Sequence, residues 1–173
     1  MNLGNALGTS LLLYFLAEGL GDPNAEDDLI PLVLVYLVLL VVATLIAGRA
    51  SDRSGRRRVF VGVAAALQGF AGLLLAVAPA YGTALIAAAF LGAGYGVFLS
   101  VDQALATQVL PAAADRGKDL GIMNVALAVP QAFGPLVGAG LMALFGGFAA
   151  LFVGAAVLSA LGALSVARIR SVA

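Results

Sequence analysis

The sequence predicts an all-α integral membrane protein, a six-transmembrane-helix bundle forming one domain over residues 1–173. Three observations predict it. Hydrophobic residues make up 62% of the chain and charged residues only 10%, against about a quarter charged in soluble domains, and the mean hydropathy is +1.09. Six apolar segments each approach the ~20 residues a helix needs to cross hydrocarbon. All nine basic residues fall in the links between those segments, or after the last of them, so that they share one face.

The segments lie at roughly 1–20, 29–48, 59–79, 81–101, 121–144 and 148–167, each about one bilayer crossing long. The first opens with Met1-Asn2-Leu3-Gly4-Asn5, which reads as the inside of a helix, so the chain is expected to begin part-way through a span. No basic region precedes this segment and no small-residue cleavage site follows it, which argues against a signal peptide. The link at 21–28 carries four acids, Asp22, Glu26, Asp27 and Asp28, and no base, and is expected to face outward. Short uncharged hairpins at 80–82 and 146–147 belong on that same side. Five of the nine basic residues sit in the link 48–58; Arg116 and Lys118 occupy the next inner link, and Arg168 and Arg170 follow the last span. Basic residues concentrate on the cytoplasmic side of membrane proteins, which places the C-terminus there and predicts a multi-pass protein of the plasma membrane.

The link 48–58 has an internal pattern beyond its charge. Gly48, Asp52, Arg53, Gly55, Arg56 and Arg57 are spaced as Gly-x-x-x-Asp-Arg-x-Gly-Arg-Arg. A glycine at 48 would let one helix end approach a neighbour, and Gly55 can take the positive φ of a tight interhelical turn. Asp52 can pair with Arg53 or Arg56, or accept N–H groups at a helix start. Basic residues alone would only fix topology; two glycines and an acid at set offsets ask for more.

The pattern resembles the cytoplasmic loop signature of the major facilitator superfamily of secondary transporters. Within the fifth span, Gly134-Pro135-x-x-Gly138 resembles part of the glycine-proline core of the proton-coupled antiporters of that superfamily, with Ala139 where a second glycine is usual and Pro130 upstream. The fourth span has Phe90 and Leu91 where many antiporters bear an arginine, which weighs against antiport. The stretch from Ser100 through Pro111 to Gly121 is similar to the connection between the tenth and eleventh helices of sugar-type members. The resemblance implies the C-terminal half of such a transporter: two inverted three-helix repeats that need a separate N-terminal half or a second copy to enclose a substrate path.

Polar residues inside spans are costly and so map where cavities or helix contacts lie. The first span holds Asn2, Asn5, Thr9, Ser10 and Tyr14, the fourth Tyr95 and Ser100, the fifth Asn124 and Gln131. The third offers Gln68, the sixth Ser159 and Ser165, and the second Tyr36 and Thr44. The first, fourth and fifth spans are therefore expected to line an interior, with the third and sixth facing lipid. Asn5, Asn124 and Gln131 are the candidate substrate contacts, although each amide can equally serve a helix-to-helix bond of about 0.6 kcal/mol. Pro130 and Pro135 each remove a backbone donor and, with Gly134 and Gly138, mark the fifth span as a bending helix. Asp102 and Glu18 are the candidate proton-carrying acids, though both lie near an interface where a carboxylate is ordinarily hydrated.

With no cysteine and no histidine, thiol and imidazole chemistry and Cys/His metal sites are excluded. Neither paired acids nor a Ser/Lys dyad occurs at mid-membrane depth, so no enzyme, cofactor or metal is expected. The basic cluster lacks interleaved aromatics, so no nucleic acid is expected either. The expected partners are the bilayer, a small solute and a second six-helix unit. The function that follows is secondary transport of a small solute by alternating access, a neutral solute such as a sugar being favoured over a cationic drug because the spans hold so few charges. The rival reading is a non-transporting membrane scaffold or inactive remnant.

Overall fold

The computed structural model describes residues 1–109 and 116–168, without the side chains of 103–109, 116–120, 123 and 166–168. Arg116, Lys118, Arg168 and Arg170, and the polar stretch 103–120, thus fall outside the described side chains. The described residues contain helices and turns and no strand. In order these are α1 (Asn2–Ser10), α2 (Leu12–Tyr14), a π-helical turn (Phe15–Gly19), α3 (Ala25–Ser54), α4 (Arg57–Val77), α5 (Tyr81–Val109), α6 (Arg116–Phe145) and α7 (Phe148–Arg168). The five from α3 to α7 are each long and apolar enough to cross a membrane.

The first segment is not the single helix that its hydropathy predicts. It breaks at Leu11 (φ −107°, ψ 15°) and then widens into the π turn. Local chemistry accounts for the break: Gly8-Thr9-Ser10 is a weak helix former, and Thr9 Oγ1 donates to the Asn5 carbonyl at 2.9 Å, a back-bond that loosens helices. Tertiary packing holds the widened turn. Phe15 and Leu16 are fully buried, and the Phe15 ring meets Phe148 and Phe152 of α7 edge-on, with centroids 5.5 and 5.0 Å apart.

Several helices also outrun the predicted spans. Apolar runs mark where hydrocarbon begins, whereas a helix continues into water as long as its ends are satisfied. α3 starts with Glu26, Asp27 and Asp28 in its first turn, where the helix dipole favours acids. The link before it shortens to a turn in which Asn24 N–H donates to Asp22 Oδ1 at 2.9 Å. Tyr81 Oη, at the start of α5, donates to the Asp28 carbonyl at 3.3 Å and ties the two helix starts together.

α5 is the central helix. In its most apolar window 61% of residues are buried, against 39% for α4, 28% for α7, 11% for α6 and 6% for α3. It lies between α3 and α4, and its glycines set both contacts. A Cβ on Gly92 would collide with the Tyr36 carbonyl and one on Gly96 with the Leu40 carbonyl, both of α3; a Cβ on Gly94 would lie 3.0 Å from the Ala64 carbonyl of α4. Around this triple the core gathers Leu7, Phe15, Leu32, Leu75, Leu91 and Phe152. α1 joins the bundle against α6 and α7. Gly134 is so close to α1 that a Cβ there would lie 2.8 Å from that of Ala6, and one on Gly138 would lie 2.7 Å from Leu11 Cδ1.

The helices are unevenly covered within the bundle. The third and sixth spans, α4 and α7, pack against each other and the bundle, while α3 and α6 are the least covered. Gln68 and Ser159 contribute to the contact between α4 and α7: both are buried, and Ser159 Oγ donates to Gln68 Oε1 at 3.0 Å.

Gly96→Val or Gly92→Val forces a side chain onto a backbone carbonyl and is expected to cost at least the ~1–3 kcal/mol of an overpacked core. Gly62→Val, where an added Cβ meets nothing within 4 Å, is expected to leave stability nearly unchanged. Thermal unfolding of the purified variants in detergent checks the contrast, and equal midpoints would refute the packing argument.

Candidate functional site

Two regions gather the polar residues. The first lies inside the bundle, where α1, α3, α5 and α6 come together. Asn5 of α1 is buried at 6% exposure; its Nδ2 donates to Tyr36 Oη of α3 at 3.2 Å, and that hydroxyl lies 3.3 Å from Asn5 Oδ1. Next to this pair, Tyr95 Oη of α5 donates to Asn2 Oδ1 at 3.3 Å. The Gln131 side chain of α6 lies near Tyr95. Thr44 Oγ1 donates to the Leu40 carbonyl at 2.7 Å and approaches the Gly96 carbonyl at 3.1 Å, across the glycine contact of α3 with α5.

The three candidate substrate contacts do not share one setting. Asn5 is enclosed and its amide is engaged by Tyr36, so it ties α1 to α3 and does not face open space. Asn124 and Gln131 are exposed on α6. Seven residues apart, they lie two turns from each other on one side of the helix. Tyr36 is the residue that sequence reasoning passed over, since its helix looked poor in polar groups. Accounting for Asn5 would have found it, because a buried amide needs a partner.

α6 runs unbroken from Arg116 to Phe145 through both Pro130 and Pro135. Helical geometry is interrupted in the first span, at Leu11 and the π turn. Gly134 and Gly138 are buried and allow α6 to lie close against α1, as the contacts with Ala6 and Leu11 require.

The second region is the link from α3 to α4. Gly55 ends α3 at φ 63°, ψ 0°, with its N–H donating to the Ser51 carbonyl at 2.9 Å. That left-handed cap is the conformation a glycine adopts at least cost. Asp52, Arg53 and Arg56 are exposed, and Arg57 and Arg58 are partly buried at the start of α4. Gly48 is less constrained than its motif position implies: an added Cβ would stand 3.9 Å from Ser100 Cβ, an ordinary contact, so the close helix approaches are made by the α5 glycines instead.

Asp102 is partly buried in α5. Glu18 is exposed in the π turn and borders an open depression with Asp22, Glu26 and Asp27. Among the described residues no group of three acids is placed to hold a metal ion.

Long apolar helices joined by glycine-mediated contacts make this a multi-pass membrane protein. The chain belongs to the Major Facilitator Superfamily, whose family model matches residues 1–172, and it is therefore a membrane transporter of that superfamily. No individual curated protein matches it.

Gly55→Ala places a side chain in the left-handed region and is expected to destabilise the α3–α4 turn by about 1–2 kcal/mol. Gly48→Ala is expected to change little. Unfolding midpoints of the two variants, measured side by side, test whether the turn or the helix approach is what this motif's glycines supply.

Proposed function

We propose that this chain is one six-helix half, the C-terminal one, of a secondary active transporter, and that it moves a small solute by alternating access together with a second six-helix unit. The observation that carries the reading is the exposure of Asn124 and Gln131 on α6. Polar side chains turned toward hydrocarbon are costly, and in membrane proteins they face a water-filled cavity or another helix. α6 and α3 are also the two least covered helices, as expected of elements that border a second unit. Superfamily members work by rocking two such units about a site near the midplane. The second unit can be an N-terminal half or another copy of this chain.

The chemistry within reach of α6 is amide and phenol: Gln131, Asn124, Tyr95 and Asn2. Such groups suit the hydroxyls of a neutral solute such as a sugar, and they offer no charge with which to hold a cationic drug. The arginine-rich link then lies in the cytoplasm, with the C-terminus on that side and the protein in the plasma membrane. Asp52 and its neighbouring arginines act in the inner gate, pairing across the two units when that side is closed.

Because the chain has no cysteine, single cysteines report cleanly. Asn124→Cys and Gln131→Cys in membrane vesicles are expected to react with a hydrophilic maleimide, and a bound sugar-type solute is expected to slow the reaction at Gln131→Cys. Val157→Cys, on an exposed apolar position of α7, is expected to stay unlabelled. If all three positions are equally inert, α6 faces lipid and the scaffold reading takes the place of transport.

A further inference from the structure

A large surface concavity lies away from the α6 face. It is a groove of about 790 Å³ between α4 and α7, open along its length. One wall runs from Gly62 to Leu73 on α4 and the other from Val153 to Leu164 on α7. The wall residues are apolar, apart from Arg58 at one end. Gly62 and Gly69 make the groove deep, since a Cβ added to either meets nothing within 4 Å. The helices come together beneath it, where a Cβ on Gly72 would lie 2.6 Å from the Phe152 carbonyl.

Its dimensions are those of one lipid chain. Eleven helical steps from Gly62 to Leu73 span about 16 Å, close to half of the ~30 Å hydrocarbon core. Arg58 stands one turn beyond, at the level where a headgroup phosphate lies. It belongs to the run Arg56-Arg57-Arg58 at the N-terminus of α4, a first turn without an acidic residue. The positive end of the helix dipole adds to that charge.

We propose that the α4–α7 groove binds one anionic phospholipid, its acyl chain along the glycine-lined floor and its phosphate at Arg58. Charge complementarity selects this occupant. A second copy of the chain related by a two-fold axis along the membrane normal would bring its own arginine run to the same depth, setting like charges against each other. A zwitterionic lipid carries a headgroup cation beside its phosphate and so gains less from the arginine run.

The test is native mass spectrometry of the full chain released from detergent micelles containing equal amounts of phosphatidylglycerol and phosphatidylcholine. One arginine near an anionic surface corresponds to about a fivefold preference, so the retained lipid is expected to be phosphatidylglycerol by at least that ratio. Arg58→Gln is expected to bring the ratio to about one while lipid is still retained. Gly69→Leu, which fills open space and so leaves the fold intact, is expected to reduce retention of both lipids severalfold. Arg53→Gln, an exposed arginine outside the groove, is expected to keep the preference. Equal retention of the two lipids by the unaltered chain would overturn the proposal. So would a dimer abolished by Gly69→Leu with no change in bound lipid, which would assign the groove to a second copy.

Discussion

The structure depends on how closely α5 can approach its neighbours. Lipid tails are as apolar as leucine, so no hydrophobic force drives one helix against another within the bilayer, and close packing must supply the attraction. Gly92 and Gly96 lie one turn apart and let the backbone of α3 come down on α5 at Tyr36 and Leu40. Gly94, on another side of the same helix, admits the Ala64 carbonyl of α4. One five-residue segment thus fixes two helix contacts, and the position of α3 relative to α4 follows from it. The Gly55 turn then has only to join ends that are already close.

The glycine contacts also decide where the polar groups go. Once α3 is drawn onto α5, Tyr36 is close enough to α1 for its hydroxyl to meet Asn5, and Thr44 reaches the Gly96 carbonyl. On the far side, Gln68 of α4 meets Ser159 of α7 within the core. These amides and hydroxyls pair with one another, as a low-dielectric interior favours, although Gln68 Nε2 stays buried without a hydrogen-bond partner. Asn124 and Gln131 are different because their helix is covered mainly by α1 and lies at the edge of the bundle. Exposure on an otherwise apolar helix separates groups that await something from groups that hold the bundle together.

Much of this was legible in the sequence. Apolar runs located the five helices from α3 to α7, since a bilayer imposes length and composition directly. Gly55 was readable as a turn because few residues tolerate its conformation. The break in the first span was not readable from hydropathy, because Leu11-Leu12-Leu13 is as apolar as any helix interior; it depends on the Thr9 back-bond and on Phe15 finding Phe148 and Phe152 some 130 residues away. Pro130 and Pro135 pointed to α6 as a bending helix, and α6 continues as a helix through both. The partner of Asn5 escaped notice for a related reason: polar content counted helix by helix does not say which helices touch.

The link between α3 and α4 is electrostatically lopsided, and this has consequences for both of its ends. Arg53 lies in the last turn of α3, where the negative end of the dipole welcomes a cation. Arg57 and Arg58 lie in the first turn of α4, where the positive end opposes one. Arginines at that end of a helix are offset by interactions from outside its own dipole, and the phosphate of the proposed lipid would add one at Arg58. Asp52 and Arg53, on the other side of the Gly55 turn, are exposed and do not line the α4–α7 groove. The same short link therefore carries charge on both sides of the Gly55 turn, in exposed Arg53 at the end of α3 and in partly buried Arg57 and Arg58 at the start of α4.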